Sequence, residues 1–277
     1  MNCQAEERGV ASNNDLRPLL KWPGGKRLLA DRIVALLPQT YERYIEPFLG
    51  GGAVFFRLKP ARALLADADP ALIDCYMQIR DHPDDVLKVL ARLKNSEADY
   101  YRIRASRPRT ATSRAARIIY LTNLSFNGIY RLNFRGEFNV PYGHRPHRRP
   151  TQPALIRAAS RFLRAARLRC DDFEFTLRTA RVGDVVYLDP PYTVAHSNNG
   201  FIRYNARLFS WSDQQRLALA ARRAADRGAF VVVTNADHES VRNLYRDFYE
   251  VRIERVSTIA AASAKRKLVT ESIFYAR

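Results

Sequence analysis

Asp189-Pro190-Pro191-Tyr192 is the stretch of this sequence best suited to chemistry. It follows the apolar run Val185-Val186-Tyr187-Leu188, which reads as a buried strand, so it falls at a strand's carboxyl end, where doubly wound α/β folds place their sites. Two consecutive prolines fix φ and remove two backbone donors, leaving carbonyls to point at a ligand. The Asp189 carboxylate, with an ordinary pKa near ~3.9, is ionised at neutral pH and accepts a hydrogen bond from an NH2 group. The Tyr192 ring offers a face on which a base can stack. A bare Asp-Pro-Pro is also a rigid turn closing a strand; the tyrosine and the preceding strand favour a site that holds a planar amine.

A second element is Glu46-Pro47-Phe48-Leu49-Gly50-Gly51-Gly52. Its glycines let the backbone turn tightly and approach an adenosyl group closely, and a helix N-terminus after them adds oriented donors. The spacing is neither the GxGxxG of a dinucleotide fingerprint nor the GxxxxGK[ST] of a P-loop, which counts against dehydrogenase and NTPase readings. Asp67, after the strand Ala63-Leu64-Leu65-Ala66, stands where an acid binds ribose hydroxyls. A turn or helix cap is its plainer role, which Asp69 fills equally well. The third element, Leu20-Lys21-Trp22-Pro23-Gly24-Gly25-Lys26, resembles a truncated phosphate loop, but no strand precedes it and Arg27 stands where Ser or Thr is needed. Phosphate binding is the lesser reading. A tryptophan and a lysine beside a glycine turn suit one wall of a cofactor pocket, with the lysine meeting a carboxylate; a structural tryptophan fits these residues as well.

The elements that must position these groups read as an opening strand at Arg43–Phe48, a glycine turn, a helix at Ala53–Leu58, a strand ending in Asp67 and a helix from Pro70, where proline suits a first turn. Strand signals resume at Asp184–Leu188 and Ala229–Val233, with a helix from Ser212 to Arg227 between them, and end with Phe248–Glu254 and Ser272–Ala276. This is a doubly wound nucleotide-binding sheet interrupted by an insertion. The insertion is helical at Asp85–Lys94 and Arg114–Leu124, then β-like from Arg131 to Pro141 around the turn Arg135-Gly136-Glu137. The expected division is a tail at 1–14 with order beginning near Leu16, a sheet domain from 15–75 and 171–277, and an inserted lobe at 76–170.

Charge marks that lobe out. Of a net +18 over 277 residues, most lies between Tyr101 and Cys170, where sixteen Arg or Lys face a single acid, Glu137. Such density calls for a polyanion, of which nucleic acid is the commonest. Tyr120, Phe126, Tyr130, Phe134, Phe138 and Tyr142 interleave with the arginines, which suits reading bases better than gripping phosphates alone. The three cysteines, Cys3, Cys75 and Cys170, are far apart with no CxxC, arguing for a reducing compartment and against structural zinc. No apolar run approaches the ~18 residues of a membrane helix. The polar N-terminus lacks a signal-peptide core, so a soluble cytoplasmic protein is expected.

In order, the lysine–tryptophan–glycine element, the glycine loop, Leu65-Ala66-Asp67, the run from Asn127-Gly128 through Arg131 to Arg135-Gly136-Glu137-Phe138-Asn139-Val140-Pro141-Tyr142-Gly143, and Asp189-Pro190-Pro191-Tyr192 resemble the Dam family of DNA adenine-N6 methyltransferases. The resemblance runs from about Leu20 to Glu271-Ser272-Ile273, similar to that family's last strand. It implies an α/β fold: a Rossmann-like doubly wound methyltransferase sheet with an inserted, mostly helical target-recognition lobe carrying a short β-hairpin. It implies S-adenosyl-L-methionine as cofactor, held by Trp22, Lys26, Phe48, Gly50, Asp67 and Asp189, with Asp189, Pro190, Pro191 and Tyr192 catalytic and no metal. Double-stranded DNA is the implied partner, contacted by Lys21, Phe126 as a wedge, Asn127, Arg131 as a base-reading arginine, Arg135, Pro141, Arg145, Arg148 and Arg149. His144-Arg145-Pro146-His147 departs from the GATC-methylating members, which leaves the recognised sequence open. A cognate restriction endonuclease, and monomer against weak dimer on DNA, are open too. The implied chemistry flips adenine out of the duplex, at a cost of a few kcal/mol. The rivals are a cytosine-N4 methyltransferase, which more often resembles an S-P-P-Y pattern, an RNA substrate, and an inert DNA-binding protein, against which the intact Asp189, Gly50 and Asp67 speak.

Overall fold

A computed structural model describes residues 18–133, 135–145, 147–150, 152–193, 209–256 and 268–277. The expected tail at 1–14, Leu16, Phe134 and Pro146 lie outside the described residues.

Four of the strands carry the apolar runs read from the sequence: β1 (Arg43–Glu46), β2 (Ala63–Asp67), β4 (Asp184–Leu188) and β5 (Phe230–Ala236). With β3 (Ala166–Cys170), β6 (Tyr249–Val256) and β7 (Leu268–Ala276) they form one sheet in the order β3-β2-β1-β4-β5-β7-β6. The five strands β3 to β5 are parallel, whereas β7 lies antiparallel between β5 and β6. Successive side chains of a strand point to opposite faces, and the core splits accordingly. Tyr44, Leu65, Val185, Tyr187 and Val232 join one apolar cluster; Ile45, Leu64, Val186, Leu188, Val231 and Val233 join the other. Each such fully buried side chain contributes roughly 1.5–3 kcal/mol, so β1, β4 and β5 tie the sheet to both halves of the core.

Helices α1 (Ala30–Leu36), α2 (Ala53–Leu58), α3 (Pro70–Asp81) and α7 (Pro153–Leu163) cover the first face, while α8 (Phe173–Leu177), α9 (Trp211–Asp226) and α10 (Glu239–Leu244) cover the second. Asp69 caps α3 by accepting from Ala71 N and Leu72 N, with Pro70 in its first turn. Helix α9 starts one residue before the sequence expectation because Ser210 and Asp213 form a reciprocal capping box.

Between α3 and α7 the chain builds a lobe from α4 (Pro83–Ala91), α5 (Glu97–Ala105), α6 (Ala111–Leu124) and a 3-10 turn at Phe126–Gly128. A narrow hairpin follows. Leu132 bridges Phe138 antiparallel, and Asn133 N and Asn139 N donate to Glu137 O and Arg131 O. The lobe shares its core with the sheet: Tyr100, Ile119, Leu124, Phe138 and Tyr142 belong to the same cluster as Tyr44 and Val185. Edge strand β3 lies inside the stretch 76–170 read as insertion, and α3 crosses its first boundary. The alternation Ala166-Arg167-Leu168-Arg169-Cys170 explains the difference, since an edge strand with arginines on its outward face reads as more of the basic segment.

Candidate active site

Strand β1 is flanked by β2 on one side and β4 on the other, so the chain winds outward from β1 to β3 and then returns to start the other half. That reversal opens a crevice at the carboxyl ends of β1 and β4. The glycine loop leaves β1 there, Asp189-Pro190-Pro191-Tyr192 leaves β4, and Asp67 ends β2 beside them. At the opposite end the Arg43–Asp184 ion pair, 2.6 Å, joins the starts of β1 and β4.

Asp189 is held on one oxygen by two donors. Lys26 Nζ lies 2.8 Å from Oδ1, and Thr234 Oγ1 donates to it at 2.8 Å. Lys26 also donates to Gly24 O at 2.8 Å and sits 4.7 Å from the centre of the Tyr192 ring. The Tyr192 hydroxyl donates to Glu271 Oε2 at 3.0 Å. Of the two proline carbonyls, that of Pro191 accepts from Gln214 Nε2, and Gln214 Oε1 in turn accepts from Asn235 Nδ2. Burial pushes the Asp189 carboxyl above its ordinary value, with Lys26 and Thr234 opposing, so the unperturbed aspartate of the sequence reading is corrected in direction. Burial first, then Glu271 and Asp189, hold the Tyr192 hydroxyl well above the usual phenol range, so it stays a donor.

The loop after β1 needs glycine at Gly50 twice over. Its φ of +47° is left-handed, and a β-carbon there would lie 2.9 Å from Trp22 Cδ1. Gly50 N donates to Asp67 Oδ2 and Asp69 N to Oδ1, each at 3.0 Å, and Tyr76 donates its hydroxyl to Gly50 O at 3.0 Å. The two roles left open for Asp67 and Asp69 thus separate: Asp69 caps the helix and Asp67 ties the glycine loop to β2. Burial pushes the Asp67 carboxyl up to about 6, against the pull of those two N–H groups. Glu46, wholly buried, accepts from the Tyr44 hydroxyl and is raised well above the carboxylate range by burial, with Asp189 and Asp67 adding to the rise. Phe48 packs between Phe173 and Phe209 at 5.5 and 5.6 Å.

Trp22 stands between this site and the lobe. Its indole stacks on Tyr130 at 4.3 Å while its edge faces Gly50. Next to it, Lys21 lies against Gly128, where any β-carbon would overlap the lysine chain. Burial, then Arg148, Arg145 and Arg27, lower the Lys21 pKa to about 8. Asn95 holds the backbone of that cationic cluster, donating to the carbonyls of Arg145 and Arg148 at 2.8 Å. The remaining lobe residues are spread out. Phe126 is 41% exposed beside Asn127, which takes a left-handed φ of 53°. The Pro141 carbonyl accepts from Phe126 N, Arg131 donates to Asn139, and Arg135 and Arg149 are exposed.

The structure therefore brings Trp22, Lys26, Gly50, Asp67, Asp189 and Tyr192 to one edge of the sheet, and Lys21, Arg145 and Arg148 to one cluster. Sequence reasoning missed Glu271, Thr234 and Gln214 as members of the site. An acid inside an apolar terminal strand is the signal that marks Glu271. Among the described residues no group of three or more His, Cys, Asp or Glu is placed to hold a metal, and no helix is long and apolar enough to cross a membrane.

Comparison with known proteins decides the family. Residues 22–259 match the family model described as D12 class N6 adenine-specific DNA methyltransferase. The chain belongs to this family. It is similar to the type II methyltransferase M1.LlaDCHI of Lactococcus lactis subsp. cremoris, at 37% identity over 94% of this chain and 95% of the relative. The DNA adenine methylase of Haemophilus influenzae is 32% identical over 94% of each chain, and the type II methyltransferase M.MjaIII of Methanocaldococcus jannaschii 29% identical over 91% and 96%. The enzyme class expected from the motifs, DNA adenine-N6 methyltransferase, is that of the family, and its substrate is DNA.

Proposed function

We propose that this chain transfers a methyl group from S-adenosylmethionine to N6 of an adenine flipped out of duplex DNA, with Asp189 receiving the amine. The observation that carries the reading is a half-buried aspartate at the switch point of the sheet, at the start of a proline-stiffened turn, with the tyrosine that ends this turn anchored by Glu271.

The residues fit an adenosyl cofactor. Gly50 leaves a cradle that a β-carbon would fill against Trp22, and the Asp67 oxygens stand beside it at the end of β2, where ribose hydroxyls bind in doubly wound folds. Phe48 adds an apolar wall, and Lys26 closes the side toward Asp189. The cofactor supplies an electrophilic methyl on a sulfonium.

The target N6 lone pair is delocalised into the ring and is a poor nucleophile. Asp189 accepts an N–H of the amine, which favours pyramidal nitrogen, and stabilises the positive charge that grows there as the new bond forms. Tyr192 stacks on the flipped base. The anchored hydroxyl keeps that ring in one orientation.

The lobe from about residue 82 to 152 reads the DNA. Lys21, Arg145 and Arg148 suit the phosphate backbone, because cations crowded together are relieved by an anion. Arg131 reads a base edge from the hairpin and Phe126 enters the duplex as a wedge. The naming of two relatives as type II methyltransferases supports a companion endonuclease with the same site.

Nucleoside analysis of duplex DNA incubated with the protein and methyl-labelled cofactor is the test. N6-methyladenine is the expected product; N4-methylcytosine, or label in neither nucleoside, overturns the proposal.

A further inference from the structure

Lys26 is shared between two carboxylates, one half-buried and one buried. Its ammonium lies 2.8 Å from Asp189 Oδ1 and 4.0 Å from Glu271 Oε2, and the Lys26 and Glu271 side chains are only 4% and 3% exposed. Glu271 reaches the site because β7 runs antiparallel. Its register sets Glu271 opposite Ala236, the last residue of β5, so an acid from the beginning of the final strand arrives at the carboxyl edge. The same Oε2 accepts the Tyr192 hydroxyl at 3.0 Å. One carboxylate thus touches both groups that flank Asp189.

The Asp189 oxygen that meets Lys26 also accepts from Thr234. A target amine that bonds to this same oxygen, Oδ1, must therefore compete with the ammonium. An ammonium pulled from its partner in a largely buried site, with no other anion to meet it, is costly. Glu271 removes that cost, because a shift of about 1 Å brings Lys26 from 4.0 Å to hydrogen-bond distance of Oε2.

We propose that Glu271 is a positioning residue: it takes over the Lys26 ammonium when the target amine occupies Oδ1 of Asp189, while fixing the Tyr192 ring through its hydroxyl. This rests on Asp189 being the acceptor of that amine.

Glu271→Gln keeps the size and an acceptor oxygen for Tyr192 but has no charge to receive Lys26, whereas Glu271→Asp keeps the charge. Calorimetric binding of S-adenosylmethionine, duplex binding and single-turnover methyl transfer are measured for the parent and both variants. The Gln variant is expected to bind cofactor and duplex within about threefold of the parent and to transfer methyl at least about tenfold more slowly, with the Asp variant clearly faster than Gln. In a Lys26→Met background, Glu271→Gln is expected to change transfer by less than about twofold, because the ammonium it would receive is gone.

Parental transfer by Glu271→Gln overturns the proposal. So does a loss matched by an equal loss of cofactor binding, or one of the same size with and without Lys26. A parent that methylates no duplex overturns the activity reading itself, whereas an active parent with an equally active Gln variant overturns only the role of Glu271.

Discussion

Around Asp189 the polar groups are buried or half-buried and bonded to one another: Lys26, Thr234, Tyr192 and Glu271 form one connected set, and Gly50, Asp67 and Asp69 another. Around Arg131 the groups lie at the surface, and their bonds run across the hairpin, Arg131 to Asn139 and Asn133 to Glu137, and out to Arg107, which pairs with Glu137. The first arrangement fixes geometry before a ligand arrives, at the cost of raised carboxyl pKa values. The second trades a weak internal bond for one to DNA at little cost, since an exposed polar pair contributes little to stability. Positional accuracy is spent where a bond is made, and adaptability where a sequence is read.

Breaking the glycine cradle should have the largest effect on ligand binding among the supporting residues. Gly50→Ala places a side chain in left-handed backbone, at about 1–2 kcal/mol, and forces Trp22 aside. Cofactor binding by calorimetry should weaken about tenfold to a hundredfold while duplex binding stays within about threefold. An equal loss of both would show that the two regions are not separate.

Asp67 gives a pH signature that the exposed lobe cannot. Its folded pKa of about 6 lies above the ordinary 3.8, so its contribution to stability is present below pH 3.8 and is lost as pH rises through about 6. The stability of the parent relative to Asp67→Asn should therefore fall by on the order of 3 kcal/mol between pH 4 and pH 7 in urea unfolding without cofactor. Over the same range cofactor binding to the parent should strengthen, as the carboxylate that accepts ribose hydroxyls becomes ionised.

The smallest effects belong to the lobe. Arg131→Ala should lower discrimination between sequences by about 1 kcal/mol. Arg149→Ala should weaken binding to every duplex alike and reduce the salt slope by about 0.9. Equal behaviour of the two variants in salt-titrated binding assays would remove the distinction between reading and gripping.

The site residues that sequence reasoning reached are those whose signal is local. Two prolines after a run of buried β-branched residues, and three glycines after a strand, each state their backbone conformation in a few letters. The residues it missed depend on distant pairing. Glu271 enters only through the antiparallel register of β7 on β5, and Gln214 only because α9 crosses behind the proline turn. Strand β3 was hidden by its own arginines, and the raised Asp189 and Asp67 carboxyls follow from three-dimensional burial, which no spacing records.

Single-turnover methyl transfer by Asp189→Ala, with duplex binding measured on the same preparation, tests the central claim most directly. Transfer should fall by about a thousandfold or more, as when a preorganised charge-stabilising group is removed, with duplex binding within about threefold of the parent. Near-parental transfer by a folded, DNA-binding Asp189→Ala protein would contradict the assignment of Asp189 as the residue that holds the amine.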